Sequence, residues 1–142
     1  MDKYFETYHG VRNYMKEVVE QAKENGYVST ILGRRRWLPE LKSSNFNLRS
    51  FGERVALNMP IQGTAADLIK LAMIKVRDRL REEGLEARLI LQVHDELIVE
   101  CPDAEVERVK ALLTREMEGV MDLPVPMRAD SAAGRSWAEA KE

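Results

Sequence analysis

Sulfhydryl chemistry is nearly missing from this sequence: Cys101 is the single cysteine in 142 residues. An internal disulfide is therefore excluded, and too few thiols remain for a zinc site. No run approaches the roughly 18 apolar residues of a membrane span. The opening MDKYFETYHG has no signal-peptide pattern. A reducing, cytoplasmic setting with no membrane partner is the expectation. Repeats, low-complexity tracts and linkers are absent as well, so the chain reads as one α+β unit. An excess of positive charge is also lacking. Lys and Arg number 22 against 24 Asp and Glu, a net charge of −2, which argues against a general nucleic-acid binder. Finally, Ser131, Ser136 and the two histidines show no nucleophile–base spacing. A small hydrolase built on His94 and Asp95 would lack its nucleophile.

What is present is an ordinary globular composition, with 44% hydrophobic and 32% charged residues. A chain of this length buries roughly two thirds of its unfolded surface, enough for a core. The charge is unevenly distributed. GRRRW gathers Arg34, Arg35 and Arg36, and Arg49 and Arg54 follow, whereas acids concentrate in REEGLE and CPDAEVE. A local phosphate-facing surface can hide behind the mean charge.

Hydrophobic periodicity predicts a helix over residues 11–25, with Tyr14, Met15, Val18, Val19 and Ala22 on one stripe and Gly26 as its C-cap. Gly10 separates this helix from a short one over residues 2–8. YVSTILGRRRWLP reads as two short extended pieces around Gly33. An N-cap at Asn47 or Ser50 starts a helix that runs to about Met59, and Pro60 breaks or restarts the pattern. The following helix carries Ala65, Leu68, Ile69, Ala72, Met73, Val76 and Leu80 on its apolar stripe and ends at Gly84. ARLILQV and ELIVEC then form a hairpin joined by His94 and Asp95. Apolar residues fill both phases of each strand, so a sheet covered on both faces is expected. A helix from Asp103 to about Met121, a weaker extended segment LPVPMRAD and a short terminal helix in SWAEAKE complete the chain. The fold class is α+β, with helices packed on a small antiparallel sheet that contains the hairpin.

Three stretches can carry chemistry. QVHDELIVE puts His94, Asp95 and Glu96 at a tight turn between packed strands, where a carboxylate is held rigidly. Such rigidity suits Mg²⁺, which takes oxygen ligands and keeps several waters. Asp95 and Glu96 point to opposite faces along a strand, so a second carboxylate must come from elsewhere. In ERVALNMPIQGT, Arg54 and Asn58 are four residues apart, and Gln62 lies four further on. Their donors match the acceptors that every base pair presents in the DNA minor groove. GRRRW offers three arginine forks for phosphate oxygens. Each stretch also has a plain structural reading: a polar turn, a cap at a helix break, a solvated charge run.

In that order and spacing, TILGRRRWLPEL, ERVALNMPIQGTAADLIKLAMIKV and LILQVHDELIVECP closely resemble the C-terminal part of the bacterial DNA polymerase I family, family A. The resemblance covers the chain from DKYFETY to SWAEAK. It implies residues 1–59 as the end of the fingers subdomain with connecting helices, and residues 60–142 as the C-terminal half of the palm. It implies Asp95 as a palm aspartate that binds the catalytic Mg²⁺ ions, Glu96 as a supporting acid, and His94 as a residue against the primer terminus. Arg54, Asn58 and Gln62 match contacts to the primer–template minor groove, and Arg34, Arg35 and Arg36 resemble backbone-facing residues. The implied partners are primer–template DNA and deoxynucleoside triphosphates, and the implied chemistry is two-metal phosphoryl transfer.

The family's second metal-binding aspartate lies in an Asp-Tyr-Ser context. The aspartates at 2, 67, 78, 95, 103, 122 and 130 do not have it. The triphosphate-binding fingers helix is missing too. The family often has Pro where His9 stands, and RADSAAGRSW has fewer β-branched residues than the family's last strand. The chain alone is therefore expected not to polymerise DNA. The alternatives are a partner-binding half of a split polymerase, completed by an N-terminal polymerase fragment, and a non-catalytic DNA-binding fragment.

Overall fold

The computed structural model describes residues 2–141, which fall into two compact units, one up to Asp67 and one from Leu68. The N-terminal unit holds helices α1 (Asp2–Thr7) and α2 (His9–Asn25), strands β1 (Tyr27–Ser29) and β2 (Arg35–Trp37), and a 3₁₀ turn at Pro39–Lys42. Helix α3 (Phe46–Glu82) begins here and contributes its later turns to the second unit. The break between α1 and α2 falls at Tyr8, not at Gly10. Tyr8 leaves helical geometry with φ −111° and ψ 66°, whereas Gly10 sits in the first turn of α2 with open space around it. A glycine near a helix start is tolerated. Helix α2 ends as its sequence indicates: Gly26 takes φ 78°, and its N–H donates to the Ala22 carbonyl.

Strands β1 and β2 pair antiparallel, with Tyr27 opposite Trp37, Val28 opposite Arg36 and Ser29 opposite Arg35. Val28 points into a core formed with Ala22, Leu38, Leu41 and Ala56, against which Val18, Val19, Val55 and Met59 pack. Leu38 is 1% exposed and is among the most completely enclosed side chains. Leu38→Ala is expected to lower unfolding stability by about 2–5 kcal/mol, read as a shifted midpoint with an unchanged slope in urea.

Helix α3 corrects two expectations. Its start is capped by Asn45, whose Oδ1 accepts from the Asn47 N–H at 2.9 Å and the Leu48 N–H at 3.4 Å, in place of Asn47 or Ser50. Nor does Pro60 divide it: 37 residues form one helix with Pro60 inside. Proline removes the bond that would reach the carbonyl four residues back, here that of Ala56, and its ring crowds that carbonyl, yet the helix continues. The ladder resumes beyond it, and the Thr64 hydroxyl donates to the Pro60 carbonyl.

The C-terminal unit packs the rest of α3 with a hairpin of β3 (Arg88–Val93) and β4 (Glu96–Glu100), then α4 (Val106–Glu118) and α5 (Trp137–Ala140). Leu68, Ala72, Val76 and Leu80 on α3 are buried as expected, whereas Ala65 is exposed. Val76, Leu80 and Ala87 enclose a cluster with Val109 and Leu112 of α4, onto which Leu97 and Val99 of β4 pack. The predicted helix from Asp103 instead begins as a 3₁₀ turn, Asp103–Glu105, and α4 stops at Glu118. Segment 123–130 forms no strand: Pro124 and Pro126 have no N–H to give to a ladder. It is tied down instead by the Ala129 N–H, which donates to Glu118 Oε1 at 3.1 Å.

Only one face of the hairpin is covered within this unit. The register shifts between Leu89 and Leu91, so Ile90 is bulged out of the ladder. Ile90 is 58% and Leu91 46% exposed. The expectation of a sheet covered on both faces fails because one helical layer is all that backs these two strands among the described residues. Among the described residues no helix is long and apolar enough to cross a membrane.

Candidate metal-binding turn and nucleic-acid interface

Val93 pairs with Glu96, so His94 and Asp95 are the whole connection of the β3–β4 hairpin. A two-residue hairpin connection demands positive φ, normally met by Gly or Asn. Here His94 meets it, at φ 52°, a conformation uncommon for a residue with a β-carbon. The Gln92 side-chain amide donates to the His94 carbonyl at 2.6 Å and pins the turn from beneath. Gln92 was not singled out from sequence; its position two residues ahead of a strained turn residue is the signal that could have found it.

The two acids of the turn differ in circumstance. Asp95 is exposed, and its carboxylate makes no ion pair or side-chain hydrogen bond among the described residues. Glu96 starts β4 and pairs with Lys141 at 3.0 Å. Lys141 in turn lies over the Trp137 ring, 4.9 Å from its centroid. One acid is thus available to a cation and the other is engaged. Among the described residues no group of three His, Cys, Asp or Glu side chains converges, so Asp95 fits Mg²⁺ as part of a ligand set and not as a site by itself. Burial first, then Glu105 and Asp103, push the Cys101 thiol pKa up, which favours the thiol over the thiolate that binds metals.

In the N-terminal unit the second and third stretches are placed on α3 and β2. Arg54, Asn58 and Gln62 are all exposed. Because α3 is continuous through Pro60, their four-residue spacing puts them in one row along a single helix. Arg54 also donates to Ser50 Oγ at 3.2 Å. The three arginines of GRRRW separate into different roles. Arg35 lies over the Tyr27 ring at 4.5 Å, beside the Tyr27–Trp37 edge contact. Arg36 faces the opposite side of β2, across from Val28, and has no ion-pair partner among the described residues. Arg34 is bound inward: its Nε lies 2.9 Å from Asp67 Oδ1, and its Nη2 donates to the Gly63 carbonyl at 2.9 Å. Asp67 was visible in the sequence only as an aspartate without a metal-motif context.

The profile of DNA polymerase family A matches residues 1–139. The chain belongs to that family. DNA polymerase I of Bacillus caldotenax is 53% identical over 141 residues, which is 99% of this chain and 16% of that protein. DNA polymerase I of Mycobacterium bovis is 54% identical over 137 residues, 96% of this chain and 15% of that protein. The chain thus spans about one sixth of the length of these family A relatives. Among solved structures it is similar to the polymerase domain of Pol1 from M. smegmatis in complex with DNA primer-template and dNTP. The TM-score is 0.96 and the identity 48%, over 100% of this chain and 25% of that one.

Proposed function

We infer that this chain supplies the end of the fingers and the second half of the palm of a template-directed DNA polymerase that acts in the cytoplasm. In this reading residues 1–59 are the fingers portion and residues 60–142 the palm portion. The reaction is nucleotidyl transfer. The primer 3′-hydroxyl attacks the α-phosphorus of a deoxynucleoside triphosphate, a new P–O bond forms, and pyrophosphate leaves. The observation that carries the reading is Asp95, an unengaged carboxylate on a turn pinned by Gln92, in a chain of this family.

Asp95 would hold Mg²⁺, which when bound neutralises charge developing on the transferred phosphoryl group. His94 lies against the primer terminus, and Glu96 supports the turn through Lys141. Arg54, Asn58 and Gln62 donate to purine N3 and pyrimidine O2 atoms, which test base-pair shape without reading sequence. Arg35 and Arg36 meet backbone phosphates, and Arg34 has only part of its guanidinium left for that task. A second carboxylate and the triphosphate contacts come from polymerase segments outside these residues, so the chain alone does not extend primers.

A second reading is favoured by the uncovered residues Ile90 and Leu91. Among the described residues strand β3 has one partner, β4, and its other edge is unpaired. An N-terminal polymerase fragment could complete the palm by strand addition there. One experiment tests both readings: primer extension with Mg²⁺ and four deoxynucleotides, by the chain alone and with a complementary fragment. Extension only in the mixture is the expected result. Robust extension by the chain alone would overturn the first reading, and silence in the mixture the second.

A further inference from the structure

Between Ala56 and Asp67 helix α3 is weak by composition. Pro60 removes a backbone bond, and Gly63 is a poor helix former. Gln62, the last donor of the exposed row, sits between these two residues. The turn Thr30–Arg34 lies directly on this weak point. Its own geometry is fixed by the Thr30 N–H donating to the Arg34 carbonyl and the Gly33 N–H donating to the Thr30 carbonyl, both at 2.9 Å. Thr30, 4% exposed, accepts the Arg34 N–H on its hydroxyl at 3.2 Å. The Ile31 N–H donates to Thr64 Oγ1 at 3.1 Å, and that hydroxyl donates onward to the Pro60 carbonyl.

Contact between turn and helix is close enough to require the glycine. A β-carbon at Gly63 would lie 2.8 Å from Thr30 Cγ2. Arg34 then reaches along the helix and joins the Gly63 carbonyl to the carboxylate of Asp67, which is 9% exposed. One guanidinium thus ties two successive turns of α3, on the side of the weak point where Gln62 begins.

We propose that Arg34 and Asp67 are positioning residues, a clamp that holds the Gln62 turn of α3 in register for reading the minor groove at the primer end. This rests on the polymerase reading above, in which Gln62 is a minor-groove donor. The Arg34 groups that form the clamp, Nε and Nη2, face Asp67 and the Gly63 carbonyl and not DNA. The clamp acts by keeping the helix from bending at Pro60, so that the Gln62 amide meets a matched base pair and misses a mispaired one.

The test uses a complete polymerase in which this chain replaces the homologous 141 residues of the Bacillus caldotenax relative. Extension from matched and mispaired primer termini is measured as kcat and KM, together with the thermal midpoint, for Asp67→Asn, Gln62→Ala and the double variant. Asp67→Asn is expected to lower the matched-to-mispaired ratio of kcat/KM by about tenfold, within the range a small misplacement produces. Gln62→Ala should lower it similarly, and the double variant no further than either single change, since both act through one contact. Where Asp67→Asn fails to fold, Arg34→Met removes the same clamp from its exposed end.

A lowered ratio with multiplying effects in the double variant overturns the proposal, because Asp67 would then act through something other than Gln62. An unchanged ratio in Asp67→Asn with a lowered one in Gln62→Ala also overturns it, and leaves the minor-groove reading standing. Unchanged ratios in both variants, or a parent enzyme that extends no primer, overturn that reading and the proposal with it.

Discussion

Asp95→Asn in a complete polymerase carrying this chain is expected to lower kcat by about a hundredfold to a thousandfold, with folding and DNA affinity nearly unchanged. The substitution preserves shape and removes one negative charge. Because the Asp95 side chain bonds to nothing else among the described residues, the hairpin loses no contact, and the stability change should stay within about 0.5 kcal/mol. The kinetic loss is large because a charge aimed at the reacting phosphate acts in the transition state in a pre-organised site, where a single such group is worth roughly a hundredfold to a thousandfold. A change in kcat with KM nearly constant is the signature of an interaction made only in the transition state. A variant that kept kcat within tenfold of the parent would remove Asp95 from the chemistry. Glu96→Gln is a useful contrast. It breaks a half-exposed pair with Lys141, which costs at most about 1 kcal/mol of stability.

DNA binding by the isolated chain is expected to weaken steeply with salt, and the slope should divide the arginines into two sets. Each phosphate contact contributes about −0.9 to the slope of log K against log salt. If Arg35 and Arg36 each meet a phosphate, raising salt fourfold lowers affinity roughly twelvefold. Replacing either one with alanine should flatten the slope by about 1. Arg34→Ala should flatten it less, because its Nε and Nη2 are already committed to Asp67 and the Gly63 carbonyl. Fluorescence anisotropy of a labelled primer–template duplex across a salt series measures this. Equal changes for Arg34, Arg35 and Arg36 would contradict the division, and a flat salt response would remove the arginines from binding altogether.

Features set by neighbouring residues were the legible ones. Gly26 follows an amphipathic stripe, and the left-handed cap appears there. Gly33 lies between two β-rich pieces, and β1 and β2 form on either side. The His94-Asp95 pair joins two apolar runs, and it forms the whole hairpin connection. Pro60 misled because proline costs one bond, while the surrounding turns of α3 are fastened by side chains far away in sequence. The 123–130 segment looked extended, but no strand forms there, because a strand also needs a partner with free N–H and C=O groups. Roles within GRRRW could not be separated from sequence because Arg34 differs from Arg35 and Arg36 only by the proximity of Asp67, a residue 33 positions on. The row Arg54, Asn58 and Gln62 became one line only once α3 was seen to be continuous.

The bulge at Ile90 has a practical consequence for handling the protein. An unpaired strand edge bearing two exposed aliphatic side chains is a template for intermolecular pairing, and such edges drive aggregation when they are left bare. Arg88 at the start of β3 and the displaced Ile90 both interrupt a flat, regular edge, which blunts the hazard without removing it. Preparations of the chain by itself should therefore lose soluble material as concentration rises. A single lysine at Ile90, introduced on the solvent side, should extend the usable concentration range without disturbing the core beneath.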